Sequence, residues 1–470
     1  MSETKFRVES DLLGELQVPE NAYYGVQTQR AINNYQISAT KMSDYPEYVT
    51  AIAYVKKAAA LANEAVGQLD HTIADAMVKA CDEIIAGKLH ENFPVDMMQG
   101  GAGTSVNMNA NEVVANRALE IMGHKKGEYK FCSPNDHANM AQSTNDAYPT
   151  AIKLGVLLKN KNVIASLERL IKAFYAKAEE FKGYVKMGRT QLQDAVPMTL
   201  GQSFTAFAHQ LENEVKYINA NVEGMLCQNM GGTAIGTGLN AAPGFTEKCT
   251  EYLSQITGMK FHAAEDLIAD TNCTTDYVAY HGALKRLAVQ LSKICNDLRL
   301  MASGPRTGLH EINLPAMAPG SSIMPGKVNP VIPEVTNQVC CKVIGNDTAV
   351  AFAAEAGQLE LNVMEPVIMQ CMMESMTWLE KVMDTLRVKC IEGITANPDH
   401  CREVVMNSIG IVTALNPYIG YKGATKIAKE ALASGKSVAE IALEQTDLTK
   451  EKIAEILDPM DMISVHKFHK

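Results

Sequence analysis

No apolar stretch in the 470 residues approaches the ~18 needed to cross a bilayer, so no membrane-spanning helix is expected. Cys-x-x-Cys pairs are absent too. The eleven cysteines are scattered, with only Cys340 and Cys341 adjacent, which suits reduced buried thiols rather than a disulfide frame or a zinc site. Basic runs are missing: 43 Lys and Arg against 53 Asp and Glu give a net charge of −10, and no nucleic-acid partner is expected. The histidines do not cluster; His466 and His469 stand three apart in the tail, but without acidic or thiol neighbours they do not suggest a metal site. The opening residues, Met-Ser-Glu-Thr-Lys-Phe-Arg-Val-Glu, carry charge from the start and lack a secretion signal's apolar core, so the expectation is a cytoplasmic protein.

Proline is also missing over long spans. None falls between Pro149 and Pro197, Pro197 and Pro243, Pro243 and Pro305, or Pro366 and Pro398, whereas six of the seventeen lie between Pro305 and Pro333. Long elements therefore flank one irregular segment. Within the spans, apolar residues step by three and four: Ile164, Leu167, Ile171, Phe174, Ala178; then Phe204, Phe207, Leu211, Val215, Ile218, Val222. Leu284, Leu287, Leu291, Ile294 and Leu298 form a heptad-like seam, Met372, Met376, Leu379, Met383 and Leu386 another, and Val335, Val339, Val343 and Val350 mark a fifth helix. Such seams predict a bundle. Methionine at helical spacing is adaptable core filler, and the methionine stripe is read that way. The fold class is mainly α, with a central helical bundle over 143–397 flanked by two smaller, mostly helical domains over 1–142 and 398–470.

Four polar, glycine-bearing segments interrupt this helical text. They are Gly100-Gly101-Ala102-Gly103-Thr104-Ser105-Val106-Asn107-Met108-Asn109-Ala110-Asn111-Glu112; Ser133-Pro134-Asn135-Asp136-His137 with Gln142-Ser143-Thr144-Asn145-Asp146; Gly188-Arg189-Thr190-Gln191-Leu192-Gln193-Asp194-Ala195-Val196-Pro197; and Gly320-Ser321-Ser322-Ile323-Met324-Pro325-Gly326-Lys327-Val328-Asn329-Pro330. The first two read as loops entering helices, where Ser, Thr and Asn either cap the helix or, with its positive dipole end, hold a carboxylate. For each residue alone, capping is the commoner role. Gly236-Thr237-Gly238 lacks a third glycine, a preceding strand and a phosphate-loop Lys-Ser/Thr, so a nucleotide site is not expected.

The fourth segment resembles the signature of the aspartase/fumarase superfamily of β-eliminating lyases, and the resemblance runs over nearly the whole chain. Within it, Ala102–Asn109, Gln142–Pro149 and Val331–Val335 are most similar to the aspartate ammonia-lyase branch, with class II fumarase the nearest alternative. The resemblance implies three domains and a homotetramer whose active sites draw segments from three subunits. It also implies cofactor-free, reversible loss of ammonia from L-aspartate to give fumarate through an aci-carboxylate. No cofactor is required, although activation by a divalent cation stays open.

By the same resemblance Ser321 is the general base. Lys327 and Asn329 hold one substrate carboxylate, with Thr190 beside it; Thr104, Ser143, Thr144 and Ser322 surround the other; Asn145 and Gln191 face the amino group. Removing a proton beside a carboxylate builds a second charge on it, so a site rich in hydroxyl and amide donors with one cation fits that chemistry. Fumarases, and some aspartases, carry histidine where this chain has Gln191, paired with a glutamate that matches Glu334. A hydroxyl leaving group needs an acid, whereas ammonium brings its own proton, so glutamine favours aspartate over malate. Asn135, Asp136 and His137 match a segment near an accessory anion site in fumarases, and a structural role is equally expected for them. A non-catalytic scaffold on the same fold is the other alternative.

Overall fold

The computed structural model describes residues 5–463; His466 and His469 lie outside them. The chain forms a hairpin of β1 (Phe6–Asp11) and β2 (Gly14–Pro19), then α1 (Val26–Asn34), α2 (Pro46–Ala65), α3 (His71–Ile85), α4 (Thr104–Ile121) and α5 (Thr144–Glu180). A second hairpin, β3 (Val185–Thr190) and β4 (Gln193–Thr199), precedes α6 (Leu200–Val222), α7 (Phe245–Thr257), α8 (Leu267–Asn272), α9 (Thr275–Met301), α10 (Val331–Glu355) and α11 (Glu365–Lys389). Short helices fill the C-terminal part, among them α12 (Pro398–Asn407), α13 (Asn416–Ser434) and α14 (Val438–Gln445). The mainly α expectation holds. The third polar segment is the exception to the helical text, because it is a β-hairpin.

Two compact units divide the chain. The first comprises Met1–Ala165, Lys216–Ala288 and Cys341–Glu380; the second Ser166–Val215, Val289–Cys340 and Lys381–Lys470. Five helices, α5, α6, α9, α10 and α11, contribute residues to both. In the first unit α2 is alanine-rich on its buried faces (Ala51, Ala53, Ala58, Ala59, Ala60, Ala62), and these small side chains let α3 and α7 pack closely on it. Asp70 caps α3 by accepting from the Thr72 and Ile73 amides. In the second unit α12, α13 and α14 gather Val405, Ile427 and Ile441 around a core that also takes Met187 from β3.

The predicted seams are real. Leu284, Leu287, Leu291, Ile294 and Leu298 are all 0% exposed, as are Met372, Met376, Leu379, Met383 and Leu386, each burial contributing roughly 1.5–3 kcal/mol. The valine seam behaves differently: Val343 and Val350 are buried while Val335 is exposed, and Phe352 on the same helix is 71% exposed. Among the described residues no helix is long and apolar enough to cross a membrane.

Candidate active site

The first unit holds Thr104, Ser143, Thr144 and Asn145 at the starts of two helices. Gly101, Ala102 and Gly103 take successive positive φ values of 85°, 52° and 90°, which turns the chain sharply into α4. Thr104 opens that helix, exposed, and its hydroxyl donates to the Gly101 carbonyl (2.7 Å). Gly103 backs onto the Tyr148 ring of α5. This approach fixes the two helix starts against each other.

At the head of α5 the Ser143 amide donates to Asp146 Oδ1 (2.9 Å) and the Asn145 amide to Ser143 Oγ (3.2 Å), the reciprocal pattern of a helix-start box. The other Asp146 oxygen accepts from the Gly231 (3.2 Å) and Thr233 (2.9 Å) amides, tying a glycine-rich loop to the helix. Asp146 is fully buried, and that burial pushes its carboxyl up to about 7 despite the bonds that favour the anion. Asn145 donates Nδ2 to the Ala234 carbonyl (2.8 Å), which leaves its amide oxygen as the atom that could meet an ammonium donor.

Beneath Thr144 lies a buried polar cluster. Lys56, on α2 and 0% exposed, donates to Asn107 Oδ1 (2.7 Å) and Gln142 Oε1 (2.8 Å), with Asn139 Oδ1 at 3.4 Å. Asn107 passes its two amide hydrogens to Asn139 Oδ1 (3.0 Å) and Thr144 Oγ1 (3.1 Å). Burial pulls the Lys56 ammonium down to about 7, partly opposed by the Asp146 charge. Sequence reasoning singled out neither Lys56 nor Asp146 for a role. A signal existed for each: Ser143 and Asp146 have capping-box spacing, and the helical neighbours of Lys56 at three and four, Ile52, Ala53, Ala59 and Ala60, are all apolar.

The second unit holds Thr190, Gln191, Ser321, Ser322, Lys327 and Asn329. Thr190 ends β3, and Gln191 and Leu192 have φ values of 53° and 63°, the two left-handed positions of a type I′ hairpin turn. Thr190 and Gln191 are thus exposed at the tip of the hairpin. The hairpin is anchored below by Arg189 and Lys186, which both ion-pair with the buried Glu311, the latter at 2.7 Å.

The signature segment is a loop closed at its base. The Gly320 amide donates to the Lys327 carbonyl (2.7 Å), Asn329 Nδ2 donates to the Gly320 carbonyl (2.8 Å), and Pro319 and Val328 form an antiparallel bridge. A Cβ on Gly320 would fall 2.4 Å from the Lys327 oxygen, so only glycine closes it. Inside, Ser321 Oγ accepts from the Ile323 (3.1 Å) and Met324 (2.9 Å) amides. Ser321 is half-buried, while Ser322 and Lys327 are exposed. Glu334 lies in the first turn of α10, where its charge favours the helix dipole. Asn135, Asp136 and His137 form a π-helical turn capped by Ser133, whose Oγ accepts from the Asn135 (3.2 Å) and Asp136 (3.1 Å) amides; Asn135 also faces a cavity of about 840 Å³.

The second unit thus presents a half-buried serine receiving two amides in an exposed, lysine-bearing loop, and the first presents two helix starts rich in hydroxyls. Residues 14–345 match the family described as lyase, and 411–464 match the fumarase C C-terminus. The chain belongs to this lyase family, within the aspartase/fumarase superfamily. It is 57% identical to the aspartate ammonia-lyase of Pseudomonas aeruginosa, covering 97% of each chain, and 54% identical to that of Escherichia coli K12, covering 97% of this chain and 96% of the relative. Among solved structures, the fumarate lyase:delta crystallin of Brucella melitensis bound to cobalt has a TM-score of 0.95 at 51% identity over 97% of this chain and 99% of that one. Class II fumarase from Schistosoma mansoni reaches a TM-score of 0.92 at 36% identity over 98% of this chain and 100% of that one.

Proposed function

We propose that this chain is an aspartate ammonia-lyase that reversibly converts L-aspartate into fumarate and ammonia. The observation that carries the proposal is Ser321 Oγ receiving two backbone amides beside the Lys327 loop backbone. An ordinary serine stays neutral; amides aimed at its oxygen favour the alkoxide a general base requires. The alkoxide takes a proton from the carbon next to one carboxylate, whose charge grows to the aci-carboxylate dianion. The electron pair then forms the double bond as the C–N bond breaks, and nitrogen leaves as neutral ammonia. Thr104, Ser143, Thr144 and Ser322 supply donors to the dianion; Lys327, Asn329 and Thr190 hold the other carboxylate; Asn145 and Gln191 meet the amino group.

The same reading makes the active enzyme a homotetramer with sites shared between subunits. Phe352 (71% exposed), Leu359 (86%) and the exposed Trp378 support it, since apolar side chains of this size favour burial against another copy. The reading requires no organic cofactor, and assays with and without a chelator test activation by a divalent cation. A cytoplasmic setting accords with eleven free cysteines.

Incubation of the purified protein with L-aspartate or with L-malate, followed by the ultraviolet absorbance of fumarate, tests the reading directly. Product from aspartate alone is expected. Product from malate alone would make the chain a fumarase and overturn the role of Gln191, and product from neither would move the reading to another amino-acid or succinyl substrate, or to the scaffold.

A further inference from the structure

We infer that Lys56 and Asn107 are positioning residues that fix the hydrogen-bond polarity of Thr144, turning its hydroxyl proton outward to the substrate carboxylate. The inference rests on the proposed aspartate chemistry. Its basis is a chain of donors with only one consistent direction. A lysine nitrogen offers at least two N–H groups whether charged or neutral, and here they point at Asn107 Oδ1 (2.7 Å) and Gln142 Oε1 (2.8 Å). Asn107 Oδ1 is therefore committed inward. Its Nδ2 must then face outward, and its two hydrogens reach Asn139 Oδ1 (3.0 Å) and Thr144 Oγ1 (3.1 Å). Rotating the Asn107 amide would set oxygen against oxygen at Asn139 and N–H against N–H at Lys56. Buried at 1% and 0% exposure, neither Asn107 nor Lys56 can turn to water instead.

Thr144 thus accepts a bond from below. A hydroxyl has one proton, so that proton is left for an acceptor on the other side. Gln142 is oriented by the same lysine: with Oε1 held, Nε2 donates to the Ala138 and Met140 carbonyls, both at 3.1 Å, and steadies the turn that leads into Thr144. Lys56 touches no substrate in this scheme, yet it decides that Thr144 presents a donor.

The test compares Asn107→Asp with Asn107→Ala. The carboxylate of the first variant would keep an oxygen for Lys56 but has no N–H for Thr144, so the Thr144 hydroxyl would turn inward to donate to it. The methyl group of the second would remove the donor and leave the hydroxyl free. We expect Asn107→Asp to weaken binding of succinate, a dicarboxylate with no leaving group, at least about tenfold and to lower kcat/KM for L-aspartate, with Asn107→Ala affected less. Thr144→Val should then cost little more when combined with Asn107→Asp. A merely structural role predicts the reverse order, because the smaller alanine leaves a cavity; that order, or a full Thr144→Val effect in the Asn107→Asp background, overturns the inference. If Asn107→Asp does not fold, Thr144→Val alone decides: weakened succinate binding supports the outward proton, unchanged binding refutes it. Wild-type protein that neither turns over aspartate nor binds succinate would instead refute the functional reading beneath.

Discussion

The ring of Tyr148 occupies the space that any side chain at position 103 would need: a Cβ on Gly103 would stand 2.4 Å from the ring carbons. With φ at 90°, that position is closed to other residues twice over, by backbone strain and by contact. Gly103→Ala should cost about 3 kcal/mol of stability from left-handed strain and overpacking together, and should displace Thr104. Urea unfolding checks this, and an unchanged midpoint would show that the two helix starts are not locked here.

Ser321→Ala removes the proposed base without touching the loop closure made by Gly320, Lys327 and Asn329. The expected result is a fall in kcat of about 10²- to 10⁴-fold with unchanged helical circular dichroism and oligomer size. Retention of near-full turnover would take the base role from this serine.

Asp146→Asn tests the link between the start of α5 and the 231–233 loop. Three amides converge on the carboxylate, and asparagine must set its own N–H₂ against at least one of them. A loss of roughly 1–3 kcal/mol is expected, measured by denaturant titration. Wild-type stability in the variant would mean the loop is held by other contacts.

Glu365 carries a pH dependence with a definite sign. It is fully buried beside Lys153 and Asp270, and burial pushes its carboxyl up to about 8; one of its oxygens is buried without a hydrogen-bond partner. The unfolded chain loses this proton near 4.5 while the folded chain keeps it to about 8, so the native state binds more protons across that window. This contribution is fully present below about 4.5 and is lost as pH rises to about 8, at about 1.4 kcal/mol per pH unit. Glu365→Gln should flatten the decline of Tm between pH 6 and pH 9; an equally steep decline in the variant would assign the dependence elsewhere.

The sequence made the bundle readable because seams such as Leu284–Leu298 repeat at the helical period and bury one continuous face. The valine seam misled partly, since period alone does not say whether a face meets the chain's own core, and Val335 is exposed. The hairpin around Gln191 escaped helical periodicity because its turn depends on two left-handed residues, Gln191 and Leu192, neither a residue type that advertises that conformation. At the site, the motif segments marked the helix starts and the closed loop, whereas Lys56 lies about fifty residues upstream of Asn107, and only the packing of α2 brings its nitrogen beneath Thr144.

The bond from the Gly320 amide to the Lys327 carbonyl makes the signature segment a ring rather than an open strand of chain. Ser321 follows one end of that bond immediately, and Lys327 is the other end. The backbone positions from which the Ser321 hydroxyl and the Lys327 side chain extend are thereby tied to each other. On the proposed roles, proton removal and carboxylate attraction therefore belong to one closed segment, and a change that opens its base would reach both functions at once.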